Sequence, residues 1–118
     1  MQGLHAAGGF LLLGVTAAFT LAATFLALTY GAKPWLEVAR RVLNGVLGAQ
    51  VLVGAILYIT GSRPGDGLHL LYAVAALGAL PLGNAFSSEA PPKARAGVLA
   101  VSGLLALGLV FRLISTGD

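Results

Sequence analysis

The two histidines, His5 and His69, are the residues of this chain best suited to chemistry. They open the first and third of four long apolar segments. If consecutive segments run in opposite directions, the first and third are parallel and both imidazoles lie at the same end. Neutral imidazole binds haem iron strongly, and two imidazoles from facing helices give a six-coordinate, low-spin electron-transfer site. The pair predicts a metal site with His5 and His69 as the axial ligands.

Each histidine lies on a helical face of small or weakly polar residues. At about 100° per residue, His5 shares its face with Gly9, Leu12, Thr16 and Thr20, and His69 with Ala73, Ala76, Leu80, Asn84 and Ser87. Such faces point into a membrane bundle and not at lipid. We therefore expect both imidazoles to point inward at matching depth. Gly9 and Ala73, each one turn further on, are expected to leave room for a porphyrin.

A haem also needs partners for its anionic propionates. Arg63 and Arg112 are the only basic residues expected at the histidine end, and they are the predicted propionate partners. Tyr72 is predicted to pack on the haem edge. Plainer interpretations stay open: a histidine in the headgroup zone that binds nothing, arginines that anchor lipid phosphates, and a tyrosine of the interfacial aromatic belt.

Polar and small residues of the second apolar segment indicate helix contacts. Gln50 lies mid-segment, and we expect it to hydrogen-bond between helices, with tuning of a cofactor as the alternative. Gly45, Gly48 and Gly54 predict close approach of a neighbouring helix.

The composition indicates what must position these residues. Of 118 residues, 58% are hydrophobic and only 9% are charged, against about a quarter charged in soluble domains. A spanning helix needs roughly 20 apolar residues, and glycine- and proline-containing breaks delimit four such segments. The prediction is an all-α, integral membrane, up-down bundle forming one domain over 1–118, with spans of about 4–30, 36–60, 68–86 and 96–114.

Several function classes are excluded by what the sequence lacks. There is no cysteine, so disulfides, zinc–thiolate sites, iron–sulfur clusters and covalently attached haem c are ruled out. The basic residues are few and lie near loops, which argues against nucleic-acid binding. No carboxylate is predicted at mid-membrane depth, so proton relays and the small four-helix multidrug exporters are set aside.

The charged residues indicate an orientation. Five basic residues flank the first and third loops: Lys33, Arg40, Arg41, Lys93 and Arg95. Arg63 and Arg112 lie on the other side, so the first and third loops are predicted to be cytoplasmic and both termini outside. We expect the plasma (inner) membrane of a prokaryote, with the first segment retained as a helix and not removed as a signal peptide.

Two short stretches suggest a family. Residues 48–54, GAQVLVG, followed after a turn by residues 67–73, GLHLLYA, resemble haem A synthase. In that family a helix with glutamine and glycine precedes a helix that opens with a haem-ligand histidine. The other ligand opens the helix before the glutamine helix, as His5 does here. Those enzymes are duplicated four-helix bundles, and this chain resembles a single half over its first three spans.

One departure from the family bears on activity. The hydroxylating half carries a glutamate three residues before its first histidine and an arginine just after it, where this chain has Gln2 and Ala6. The chain therefore resembles the cofactor-holding half more than the hydroxylating half, and an enzyme of haem modification stays open as a third hypothesis. It also implies that a lone half could pair with a second copy.

The leading hypothesis is a membrane protein that binds haem b, acting in electron transfer or as an accessory to a respiratory enzyme. The alternative is a cofactor-free structural or assembly subunit of a larger membrane complex. A small transporter ranks last, since no charged residue is predicted at mid-span.

Overall fold

The computed structural model describes residues 2–61 and 67–116, and within them the chain is helical apart from its loops and has no strand. The helices are α1 (Gln2–Leu28), α2 (Pro34–Ile59), α3 (Leu68–Ser87) and α4 (Pro92–Thr116). Each is long and apolar enough to cross a membrane. The prediction of an all-α chain with four such helices is confirmed.

Two of the helices begin at a proline, earlier than predicted. α2 begins at Pro34 instead of residue 36, and α4 at Pro92 instead of residue 96. Proline suits the first helical position, because its fixed φ is helical and its missing N–H has no partner there in any case. At the end of α1, Gly31 has a φ of +82° and its N–H donates to the Leu26 carbonyl at 2.7 Å. This left-handed glycine terminates the helix.

The four helices form a bundle in which each helix contacts two others. α1 packs on α4 and α2, and α3 packs on α4 and α2, whereas the described parts of α1 and α3 make no close backbone approach. α1 and α2 are antiparallel, since Gln50 in the second half of α2 contacts His5 at the start of α1. α3 is antiparallel to α4, since Asn84 near the end of α3 contacts Arg95 near the start of α4. α1 and α3 are therefore parallel and diagonal to each other.

Burial is distributed unevenly along the bundle, which is 47 Å long. The buried apolar residues lie at mid-bundle and towards the first and third loops: Leu12, Phe19, Ala23, Leu26, Leu36, Leu43, Leu47, Ala76, Leu80, Ala96, Leu99, Ala106 and Val110. We call the end with the first and third loops the charged end, after its basic residues. The opposite end, residues 2–11, 48–61, 67–75 and 111–116, is the histidine end. None of the side chains described there is buried.

The predicted inward faces are confirmed in the packed part of the bundle. Thr16 and Leu12 on the face of His5, and Ala76 and Leu80 on the face of His69, are all buried. Because the helix turns regularly, the two histidines lie on the extension of these inward faces.

The glycines of α2 behave differently from the prediction. A Cβ at Gly45 or Gly48 would meet nothing within 4 Å, so the expected helix contact at these positions is wrong. The closest approaches are elsewhere, at Gly83 against Ser102 of α4 and at Gly103 against Thr20 of α1. α4 is thus the helix on which its neighbours pack most tightly, and α2 lies more loosely on the bundle.

Candidate cofactor site at the histidine end

His5 is held between α1 and α2 by Gln50. The Gln50 side-chain nitrogen donates to the His5 backbone carbonyl at 2.8 Å and lies 3.3 Å from Nδ1 of the ring. The ring itself lies against Gly54, where a Cβ would be only 3.2 Å from the ring atom Cε1. The interhelical role predicted for Gln50 and the close approach predicted for Gly54 are both confirmed, and His5 is the partner in each case.

The contact between Gln50 and the His5 ring is compatible with one neutral tautomer. An amide nitrogen can only donate, so the contact is a hydrogen bond when Nδ1 accepts and the ring proton is on Nε2. A histidine that binds a metal through Nε2 needs that nitrogen deprotonated and its proton on Nδ1. Ligation by His5 through Nε2 therefore requires the Gln50 amide to turn away from Nδ1.

Gly8 leaves the space that the Gln50 side chain occupies. A Cβ at Gly8 would overlap Oε1 of Gln50, so any larger residue would require that side chain to move. At Gly9, the residue predicted beside the cofactor, a Cβ would lie 3.5 Å from Ile114 of α4, which is an ordinary contact. Gly8 was not predicted as part of the site, although a glycine pair one turn after a histidine could have indicated it.

His69 lies in the first turn of α3 and is half-buried, as His5 is. One turn further on the same face, Ala73 is also half-buried. The structure thus puts the two predicted ligands at the same end of the bundle, on diagonal helices.

Two of the predicted cofactor-binding residues meet at this end. The guanidinium of Arg112 on α4 lies over the ring of Tyr72 on α3, 5.5 Å from its centroid, which is a cation–π geometry. Arg112 is the one charged side chain within the described part of the histidine end. The other predicted propionate partner, Arg63, lies outside the described residues.

The donor set can be compared with the needs of different metals. The described residues contain no group of three or more histidine, cysteine, aspartate or glutamate side chains that could hold a bare metal ion. A haem needs only two ligands from the protein, because the porphyrin supplies the other four. Two imidazoles are the number of protein ligands that a six-coordinate haem takes.

A groove lies elsewhere, on the outer side of α3 and α4. It has a volume of about 580 Å³, and Ser102 is the one polar residue that lines it. Its walls include Leu82, Phe86, Val101 and Leu105. With no titratable or ligating side chain, this groove carries no chemistry of its own.

Comparison of the chain with protein-family models, with curated proteins and with solved structures gives no match. The similarity to haem A synthase therefore depends on the two short stretches around Gln50 and His69 and on the position of His5.

Proposed function

We propose that this chain is an integral membrane protein that binds one haem b, with His5 and His69 as its axial ligands. The observation that carries the proposal is the position of the histidines. Both are half-buried near the starts of diagonal helices, at the end of the bundle where no described side chain is buried. Since the chain has no cysteine, the haem would be held without covalent attachment.

The bundle geometry favours ligands from diagonal helices over ligands from neighbours. Packed helix axes are 8–10 Å apart, so the diagonal of a four-helix square is about 13 Å. A porphyrin with an imidazole on each side needs the wider spacing. His5 on α1 and His69 on α3 lie on helices that make no close contact in their described parts, and the diagonal would provide that spacing.

The charge at the histidine end suits a haem with its propionates near the surface. Arg112 would compensate a propionate through charge-assisted hydrogen bonds, and Tyr72 beneath it would pack against the ring edge. Arg63, six residues before His69, is proposed as the second cation. Gly9 and Ala73 would face the porphyrin. When bound, the haem iron would supply one-electron chemistry, either for electron transfer or as an accessory centre of a respiratory enzyme.

A visible spectrum tests the proposal. Protein produced in haem-replete cells and purified in detergent should show a sharp α-band in its reduced-minus-oxidised spectrum. His5→Ala and His69→Ala should each remove that band, because the chain has no third histidine to replace either ligand.

The matched control is Gln50→Leu. It removes the contact that holds His5 in place but leaves both imidazoles, so its α-band should persist. Circular dichroism of every variant should show unchanged helix content, which separates loss of a ligand from loss of the fold. A colourless wild-type protein, or a band that survives in His69→Ala, would overturn the proposal.

The orientation is proposed together with the function. The basic residues of the charged end favour its placement in the cytoplasm, with both termini and the histidines outside, in the plasma (inner) membrane of a prokaryote. A single cysteine introduced at Ser88, in the third loop, should resist an impermeant thiol reagent in intact cells. Rapid labelling there would contradict this orientation.

A second candidate function is a cofactor-free structural or assembly subunit. The observation in its favour is the contact of His5 with Gln50 and Gly54, which gives this histidine a helix-packing role without any cofactor. A larger complex or a second copy of the chain would be its partner. This function predicts a colourless protein that co-purifies with other subunits and keeps that association in His5→Ala and His69→Ala.

A further inference from the structure

The charged end contains a compact ion-pair cluster centred on Glu37 of α2. Its Oε1 accepts from Arg40 and, at 3.2 Å, from Nε of Arg41. Its Oε2 accepts from Nε of Arg40 at 3.1 Å and from Arg95 of α4 at 2.9 Å. Arg95 also donates to Oδ1 of Asn84 on α3 at 2.6 Å. We call Glu37, Arg40, Arg41 and Arg95 the arginine cluster, which joins α2, α3 and α4.

This cluster has many more hydrogen-bond donors than acceptors. The carboxylate of Glu37 has about four acceptor sites, and four N–H contacts already use them. Three guanidiniums carry about fifteen N–H donors between them, and only five hydrogen bonds are made, including the one to Asn84. Most of the donors therefore still need acceptors from outside the protein.

The cluster also carries more positive than negative charge. One carboxylate faces three guanidiniums, so the cluster has a net charge of +2. Arg40 is 9% exposed, and the side chain of Arg95 is 20% exposed. Positive charge at such partly buried positions is unfavourable without a compensating anion. Arg41, whose side chain is 73% exposed, faces outward and can contact a ligand.

The neighbouring loops hold the helices of the cluster together and add positive charge near it. The Ala32 N–H donates to the Pro92 carbonyl at 2.9 Å, which ties the first loop to the start of α4. Lys33 and Lys93 flank this junction. Glu37 and Arg95 each lie three residues from the start of their helix, about 4.5 Å along the axis. For helices that cross a bilayer, this is the depth of the lipid headgroups.

We propose that the arginine cluster binds the phosphate of an anionic phospholipid. Guanidinium groups match phosphate oxygens as paired donors, and a phosphate with negative charge would offset the surplus of the cluster. A lipid is favoured over free phosphate because the cluster lies at headgroup depth beside apolar helix surface. The inference depends on the proposed membrane location and not on the haem, which would lie at the opposite end.

The test uses full-length protein in nanodiscs and a fluorescent phosphatidylglycerol as the probe, in a zwitterionic background lipid. Wild-type protein should bind the probe saturably. Arg41→Gln should bind it about tenfold more weakly, the loss expected for one charge-assisted contact. Because Arg41 is largely exposed, this variant should fold normally, and its helix content measured by circular dichroism provides the check.

Two comparisons make the test specific. Lys33→Gln removes one charge from the charged end but outside the cluster and should retain at least half of the wild-type affinity. If Lys33→Gln and Arg41→Gln lose affinity for the probe equally, the probe binds through diffuse surface charge and the proposed site is wrong. Inorganic phosphate at millimolar concentration should not displace the probe. Displacement by phosphate, or equal binding by wild type and Arg41→Gln, would also overturn the proposal, whatever the visible spectrum shows.

Discussion

At the scale of single residues, the environment of His5 depends on one side chain from the adjacent helix. Gln50 reaches across from α2 and bonds the backbone of His5 at 2.8 Å. The space it occupies exists because residue 8 has no side chain. His5 is thus positioned by a packing contact, and this contact is also what ligation by Nε2 would have to rearrange.

The substitution Gly8→Ala tests this contact. The new Cβ would overlap Oε1 of Gln50, so the amide must move and its bond to His5 is lost. Gly14→Ala is the matched control, since a Cβ there meets nothing within 4 Å and the gain in helix propensity is the same. We expect Gly8→Ala to be about 1 kcal/mol less stable than Gly14→Ala, measured as SDS-induced unfolding in mixed micelles. Equal stabilities would show that Gln50 contributes nothing at this site.

At the scale of helices, the pair α3 and α4 includes one especially close contact, between Gly83 and Ser102. A Cβ at Gly83 would lie 2.8 Å from Cβ of Ser102 and closer still to its hydroxyl. The Ser102 hydroxyl donates to its own helix at Val98, 2.9 Å away. Small residues thus allow the backbones to approach, as is common between membrane helices, where van der Waals packing drives association.

Gly83→Ala should force these two helices apart. Because the clash involves Cβ of Ser102 and not only a flexible tip, we expect a loss of about 1–3 kcal/mol of unfolding free energy. Gly78→Ala, on the same helix but facing open space, should be close to neutral. In the Ser102→Gly background the clash is absent, so Gly83→Ala should cost much less unfolding free energy there than in the wild-type background. Additive effects in this double-mutant cycle would contradict a direct contact.

At the scale of the whole molecule, the bundle is packed at one end and loose at the other. In α2 the buried residues are Leu36, Arg40, Leu43 and Leu47, all in its first half. In α4 burial continues from Ala96 to Val110. The end with the arginine cluster is thus the more densely packed part of the described chain, and the histidine end has fewer buried contacts to stabilise it.

Hydrogen exchange in detergent micelles should reveal this gradient. Amides of residues 51–59 in α2 should exchange at least tenfold faster than those of residues 38–47, because few buried contacts stabilise them. α4 is the internal control and should show comparable protection over residues 96–110. Addition of haem should slow exchange at 51–59 and leave 38–47 unchanged. Uniform protection along α2 before haem addition would contradict the gradient.

Much of the fold follows from the sequence because its signals are local. Four apolar segments with glycine or proline between them predict four helices, and the inward faces follow from helical periodicity. The errors also have local causes. The starts of α2 and α4 were predicted late because Pro34 and Pro92 are first residues of helices and not loop residues. The helix contacts predicted at Gly45 and Gly48 are wrong because α2 packs loosely on the bundle.

The all-α class, the suitability of the helices for a membrane and the position of both histidines at one end follow from the sequence. These properties depend on composition and periodicity, which each segment carries alone. Three contacts become visible only in the folded chain: Gln50 holds His5, Arg112 lies over Tyr72, and Glu37 bonds three arginines from two helices. Such contacts depend on the relative placement of separate helices, and no spacing within one segment encodes that placement.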